Sequence, residues 1–512
     1  MKTITNSNTT RIASNTLLLY IRTFITMLIA LFTSRVVLRT LGVEDYGLYN
    51  VVGGVVTMMS IVTAGLSTAT QRFLSYELGL EDKSGLPKVF NTCFYTHVGL
   101  ALVLLVLAET IGLWFVNYKL QVPEGRMVAA NIIYQFSIAS ICVNILATPF
   151  SACIISHEKF TVYAVVGIVD AVLKLIIAYL IGLSSKDKLV FYGGLMALIS
   201  VFDFYVYKVV CNKHFWETKL KLLWDSSLFK KVFSFTSWTM LGQGAMIGAN
   251  QGNNILINIF YSVSVNAASA IANQVNVAIS SFTSNFFAAY QPQITKSYAS
   301  HNYPYTIKLV NGTSKLSFFL IFLVSIPLIL NIDFVLKIWL GQVPQYTSIF
   351  CTIFIISSTI NAVGNPYWTA IFASGNIKNL QILSTIAYLF DIVMVYIFFS
   401  FGWAVYFAPL TKLFIDIIIT SIRVVYAKKA IPGLTIKLFV NSVVMPILLT
   451  AFIICTLSEI LIRTLHFNGS QIILTIVVFT FSIIVVYYFG LNSNERLFVK
   501  SLIRSRLRNN GE

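Results

Sequence analysis

The sequence predicts an all-α polytopic membrane protein of about fourteen transmembrane helices, and three observations predict it. Only 11% of the 512 residues are charged while 57% are hydrophobic, with a mean hydropathy of +0.79. A water-soluble domain carries about 25% charged residues to cover its surface, so lipid must be the solvent for most of this one. Apolar runs of about 20 residues, enough to cross a bilayer at 1.5 Å per residue, recur from end to end. Lysine and arginine fall in alternate connections, with an excess of roughly three to one on the side of the termini. That bias places both termini in the cytoplasm. It also accounts for a net charge of +17 without a nucleic-acid partner.

In chain order the spans are expected at 14–39, 47–70, 90–117, 128–150, 159–182, 189–211, 233–259, 264–290, 307–331, 347–373, 379–399, 402–427, 437–462 and 470–491. The first is not read as a signal peptide, because Thr16 to Leu38 is long, contains Arg22 and lacks a small-residue cleavage site. Residues 212–232 mix Trp216, Leu220, Leu222 and Trp224 with lysines, the composition of an amphipathic helix lying in the cytoplasmic interface. This linker separates an N-terminal six-helix lobe, 1–211, from a C-terminal six-helix lobe, 233–430. Two additional helices and a basic cytoplasmic tail follow over 431–512. A shift of about 220 residues lays LGVEDYGLYNVVGGVV over YSVSVNAASAIANQVN, which suggests a parallel repeat with a substrate path between the halves.

Ionisable residues inside a span are costly and so are candidate functional groups. Arg22, Thr26 and Thr33 share one face of the first span, since offsets of 4 and 11 residues return within about 40°. Arg22 is either an anion-binding guanidinium lining a hydrated cavity or an arginine snorkelling to the interface. Arg35 and Arg39, at the outer end, are interface anchors or the rim of a path. Asp170 with Lys174, and Lys412 with Asp416, stand four apart. Each pair either neutralises itself or offers Asp170 or Asp416 to a coupling ion while its lysine meets an anion. Lys315, Asp203 and Asp391 have no partner nearby in sequence. In the seventh span Gln243, Asn250, Asn254 and Asn258 lie on one face, and Gly244, Gly248 and Gly252 recur every fourth residue. Asn273 continues the amides in the eighth span. These groups either bond between helices or line a wet cavity suited to sugar hydroxyls.

No enzyme motif is present, neither HExxH, GxSxG nor a phosphate-binding GxxxxGK loop, and the five histidines are far apart in sequence. The six cysteines form no CxxC pair, are given no histidine partner and read as small apolar core residues. No metal and no cofactor are therefore expected. Without a nucleotide loop, transport would run on an ion gradient, the membrane potential or the substrate gradient.

LRTLGVEDYGLYNVV at 38–52, NAASAIANQV at 266–275, QPQITKSYA at 291–299 and NPYWTAIFASGNIK at 365–378 resemble the bacterial polysaccharide transporter family. These are the O-antigen and capsule oligosaccharide flippases of the multidrug/oligosaccharidyl-lipid/polysaccharide exporter superfamily. The resemblance implies two six-helix lobes in a V, alternating access, and an undecaprenyl-diphosphate-linked oligosaccharide moved from the cytoplasmic to the periplasmic leaflet of the bacterial inner membrane. It implies a monomer working among membrane lipids, with a polysaccharide polymerase and a chain-length regulator as partners. It also implies that cavity cations meet the diphosphate: Arg22 by location, with Lys174, Lys315 and Arg35 after it. The alternatives are an ion-coupled multidrug/toxin antiporter, a lipid II flippase and, from another class, a membrane polymerase or ligase. The last would carry a large periplasmic loop. Neither Leu17–Leu38 nor Val232–Ile259 contains a carboxylate, which favours an anionic cargo over a cationic drug.

Overall fold

In lipid a helix satisfies every backbone N–H and C=O within its own segment, so apolar runs fold as helices. The computed structural model describes residues 2–57, 60–118, 122, 125–184, 187–261, 263–340, 342–464, 471–493 and 495–496, and all regular structure among them is helical. The order is α1 (Lys2–Thr57), α2 (Ser60–Gly79), α3 (Leu86–Leu107), α4 (Leu113–Tyr118), α5 (Met127–Ser156), α6 (Phe160–Leu180), α7 (Lys188–His214), α8 (Ser226–Phe260) and α9 (Val263–Ala299). Then come α10 (Tyr303–Leu330), α11 (Ile332–Leu340), α12 (Thr347–Ser374), α13 (Lys378–Ser400), α14 (Phe407–Ala430), α15 (Ile436–Phe439), α16 (Met445–Thr464) and α17 (Gln471–Val485). Single π turns at Ala108–Gly112 and Val440–Val444 join α3 to α4 and α15 to α16.

Among the described residues helix is found in each expected span, although α14 starts only at Phe407, and residues 58–59 and 470 lie outside the described residues. Among the described residues nine stretches are long and apolar enough to cross a bilayer. The second, seventh, eighth, twelfth and last expected spans fall outside that set; the seventh and eighth are diluted by polar residues. The basic tail over 497–512 lies outside the described residues. Lipid as solvent is visible on α13, where Ile386, Leu389, Phe390, Val393 and Ile397 are exposed while Ala387, Val395 and Phe399 are buried. Such an all-round apolar helix would have no place at the surface of a water-soluble protein.

By internal contacts the chain divides into two compact units, Asn15–Met240 and Met1–Ser14 with Leu241–Glu512. The core of the first includes Leu48, Val52, Ile133, Tyr134 and Leu189. That of the second includes Ile257, Ala268, Phe350, Val395 and Phe399. Within the second unit, α16 and α17 pack Val443, Ile447, Val478 and Val485 on Phe318, Phe319 and Phe322 of α10.

Three local features differ from expectation. The first two spans are not joined by a loop: α1 runs on, interrupted only at Gly42 (φ 83°, ψ 170°), a conformation open almost solely to glycine. Beyond that break Asp45 is held by Arg126, whose Nη1 also reaches Asp187 at 2.5 Å. Asp187 caps α7 by accepting from Leu189 N at 3.0 Å and Val190 N at 3.2 Å. Burial works against its charge, yet these backbone bonds and Arg126 hold the Asp187 carboxyl below its ordinary range.

Second, the linker is not an interfacial helix. Residues 212–214 finish α7 and 226–232 begin α8, and between them lie a 3₁₀ turn at Trp216–Thr218 and a stretch, 219–225, with no regular structure. Tertiary hydrogen bonds win over composition here. Asn91 Oδ1 accepts from Lys221 N at 2.8 Å, Thr92 Oγ1 accepts from Asp225 N at 3.3 Å, and Lys88 pairs with Asp225 at 2.8 Å. Asp225 in turn accepts from Ser227 N and Leu228 N and so caps α8. The Lys88 ammonium and these donors hold the Asp225 carboxyl well below the usual carboxylate range. Third, α11 is a short helix where only a connection is expected; it buries Ile332 and Leu336 and exposes Ile338 and Trp339.

Candidate functional site

In the first unit Arg22 is half-buried and packs against α6. Its guanidinium carbon lies 4.5 Å from the centre of the Tyr163 ring on α6, a cation–π distance. It also lies across Gly167, where an added Cβ would stand 2.3 Å from Nε and 2.5 Å from Nη2. Only glycine leaves room for it. Nε is buried and has no hydrogen-bond acceptor, and among the described residues no carboxylate pairs with Arg22. Tyr207 of α7 adjoins the same group.

Within the same unit a cavity of about 400 Å³ is lined by Ser137, Ser140, Asn144 and Thr148 of α5, Asp170 and Lys174 of α6, and Ser200 and Asp203 of α7. Lys174 Nζ donates to Asp170 Oδ2 at 2.8 Å, so the expected pair forms on one helix face. Asp203 adjoins Asp170, and Oδ1 of each is buried without a partner. Two carboxylates face one lysine here, so the cavity carries excess negative charge when both are ionised. The sequence gives no sign that Asp203 meets Asp170, because α6 and α7 bring together residues 33 positions apart and no spacing rule spans that gap.

Two further cations stand apart from Arg22. Arg35 is exposed on α1, thirteen residues or about 20 Å along the helix from Arg22, so the two do not form one site. Lys315 is 1% exposed, and its Nζ donates to Glu495 at 2.7 Å. A buried ammonium needs a fixed counter-charge, and Glu495, 180 positions away, supplies it where a phosphate is expected.

In the second unit Gln243 and Asn254 are half-buried, while Asn250, Asn258 and Asn273 are exposed. Asn254 Oδ1 accepts from Ser269 Oγ of α9 at 3.2 Å. Amides cannot rest unpaired against acyl chains, so this face of α8 must meet polar material. Of the α8 glycines, Gly252 packs on Ile392 of α13, with 3.1 Å left for a Cβ, whereas Gly244 and Gly248 have open space beside them. Asn253, off the expected face, is buried and donates to Asp391 at 2.8 Å.

Asp416 is 1% exposed, accepts from Ser357 and stands 3.7 Å from Lys412. These contacts brace α12 against α14 through the Asp416 carboxylate. Arg423 sits inside α14 against Gly364 and donates from Nη1 to Asn365 at 3.2 Å, with Nε buried and unpartnered.

No protein-family model and no curated protein sequence matches the chain. Solved structures do match in fold. A crystal structure of a MATE point mutant superposes with a TM-score of 0.73 at 13% identity, covering 83% of this chain and 96% of its own. A multidrug resistance MATE family transporter of the MOP superfamily in an outward-facing conformation gives 0.72, also at 13% identity, with 83% and 96% covered. A MOP superfamily transporter from Pyrococcus furiosus with a binding pocket of reverse polarity gives 0.68 at 13% identity over the same shares. The chain therefore has the MATE-like polytopic membrane fold.

Proposed function

We propose that this protein is a flippase that moves an undecaprenyl-diphosphate-linked oligosaccharide from the cytoplasmic to the periplasmic leaflet of a bacterial inner membrane. In this reading both termini are cytoplasmic, and the protein acts by alternating access in surface polysaccharide assembly. One observation carries it: the Arg22 guanidinium is held inside the protein with a buried donor that nothing accepts. A desolvated aromatic face offsets about 2 kcal/mol or more of the cost of an arginine inside a span, but it accepts no hydrogen bond from Nε. A phosphate oxygen would, and charge-assisted hydrogen bonds contribute about 1.5–3 kcal/mol each. The MATE-like fold supports transport as the general activity, and the exposed amides of α8 suit a glycan.

A second reading is an ion-coupled multidrug antiporter. The cavity holding Asp170, Asp203 and Lys174 favours it, since excess negative charge attracts a cation. Within the flippase reading the same cavity is the coupling site, where a proton or cation offsets the repulsion between Asp170 and Asp203.

Ligand binding to the purified protein separates the two. Undecaprenyl diphosphate is expected to raise the melting temperature, and Arg22→Ala to remove that rise. A lipophilic organic cation is expected to bind weakly and independently of Arg22. Tight cation binding lost in Asp170→Asn, with no response to the diphosphate lipid, would establish the antiporter instead.

A further inference from the structure

Where α5 and α7 end and the 3₁₀ turn at Trp216–Thr218 begins, three ligand-type side chains converge that neither the flippase nor the antiporter reading uses. The sulfur of Cys153, the imidazole of His157 and the carboxylate of Glu217 place their ligand atoms within 4.8 Å of one another. His157 Nε2 lies 2.5 Å from Glu217 Oε1, and Cys153 Sγ lies 3.9 Å from the same oxygen. Cys211 of α7, 0% exposed, adjoins Cys153 and at present donates to Phe150 O at 3.3 Å. We propose that Cys153, His157 and Glu217, completed by Cys211, form a binding site for a zinc-class divalent cation that ties the start of the linker to α5 and α7.

Four observations carry this. Two sulfurs, one imidazole and one carboxylate are all zinc-ligand types and number the four of a tetrahedral site, with Cys211 turning from Phe150 O to complete it. Zinc at about 2.3 Å from sulfur and 2.0 Å from oxygen sets those two atoms roughly 3.5 Å apart, close to the 3.9 Å present between Cys153 and Glu217. The His157–Glu217 contact must open by about 1 Å or less to admit the ion, a side-chain adjustment.

Glu217 supplies the third observation. It is 1% exposed, and its Oε2 is buried with no hydrogen-bond partner. A carboxylate so withdrawn from water with a lone oxygen is expensive unless something further binds it. The fourth is the path in: the His157 side chain is 23% exposed, whereas the Glu217 behind it is 1% exposed. The imidazole ring is also oriented from behind by stacking on Phe215, 4.1 Å between centroids and 18° between planes. On binding, the two thiols each lose a proton to solvent as the metal–sulfur bonds form, neutral His157 contributes the Nε2 lone pair, and no electron is exchanged.

The role is structural. Glu217 lies four residues before the stretch at Lys221–Asp225 that Asn91 and Thr92 hold. A metal here would fix the other end of that connecting segment.

The test uses the full-length protein in detergent, stripped with a chelator under reducing conditions and titrated with Co²⁺. The expected result is one Co²⁺ per chain, with thiolate charge-transfer absorption and tetrahedral d–d bands that Zn²⁺ abolishes. Zn²⁺ should raise the melting temperature, and chelator should reverse the rise. Cys153→Ser should eliminate the charge-transfer band or halve it, and Glu217→Gln should weaken Co²⁺ binding by at least about tenfold. Both variants are checked for a monodisperse elution profile. Three results overturn the proposal independently of how the variants fold: no thiolate band with wild-type protein, no effect of Zn²⁺ on its melting, or a Cys153–Cys211 disulfide in protein alkylated directly from cells. A full-strength band in Cys153→Ser overturns it as well, since Cys93, Cys142, Cys351 and Cys455 would then be the ligands.

Discussion

Arg22 and Gly167 work as a unit: the guanidinium occupies the volume that any side chain at 167 would fill. Gly167→Ala puts a methyl group 2.3 Å from Nε, closer than van der Waals contact allows, and α6 cannot yield without disturbing Asp170 one turn later. The arginine must therefore swing away from Tyr163. Gly167→Ala is expected to insert and fold, yet to reproduce the transport defect of Arg22→Ala, as read by export assays at matched membrane abundance. Normal export by this variant would separate Arg22's present position from function. At this scale the sequence is a partial guide. An arginine inside an apolar run and i,i+4 charge pairs can be read directly, and the Asp170–Lys174 bond follows. Lys315–Glu495, Asn253–Asp391 and Asp170–Asp203 cannot be read, because each partner is supplied by another helix at an unconstrained sequence distance. The pairing of Cys153 with His157 is different. Four residues apart at the end of α5, with His157 as its C-cap, the two are close enough in sequence to be read together, but CxxC spacing does not register such neighbours.

At the scale of elements, helix positions follow from apolar length, whereas the connections do not. Residues 219–225 have an amphipathic composition but run without regular structure, because Asn91 and Thr92 of α3 take up their backbone N–H groups and Asp225 starts α8. Composition reports which faces are apolar and is blind to such donors. The break in α1 shows the converse, a single residue standing in for a loop. Gly42 has φ 83°, and no atom lies within 4 Å of where a Cβ would stand, so its requirement is purely conformational. Gly42→Ala is expected to cost on the order of 1–3 kcal/mol, seen as a lower melting temperature in detergent, whereas Gly47→Ala, helical and equally uncrowded, should cost nothing or stabilise slightly. Equal effects at the two positions would show that the α1 break does not depend on Gly42.

For the molecule as a whole, composition alone identifies lipid as the solvent, and the fold agrees with MATE-like transporters at only 13% identity. This is the expected behaviour of a fold set by span length, helix packing and orientation, which many sequences satisfy. Cargo is a finer property. It depends on the sign and geometry of a few charges, and here the half-buried Arg22 guanidinium and a cavity with two carboxylates coexist in the same compact unit. The account gives the guanidinium to the cargo and the carboxylates to the coupling ion.

The most direct test of that division is the leaflet distribution of carrier-linked glycan in host cells lacking the gene and complemented with wild type, Arg22→Ala or Arg22→Lys at equal membrane levels. The account predicts glycan trapped on the cytoplasmic leaflet with Arg22→Ala and partial export with Arg22→Lys, whose ammonium keeps the charge but not the fork. Export by Arg22→Ala equal to that of wild type, or no trapped glycan in the deletion itself, would contradict it.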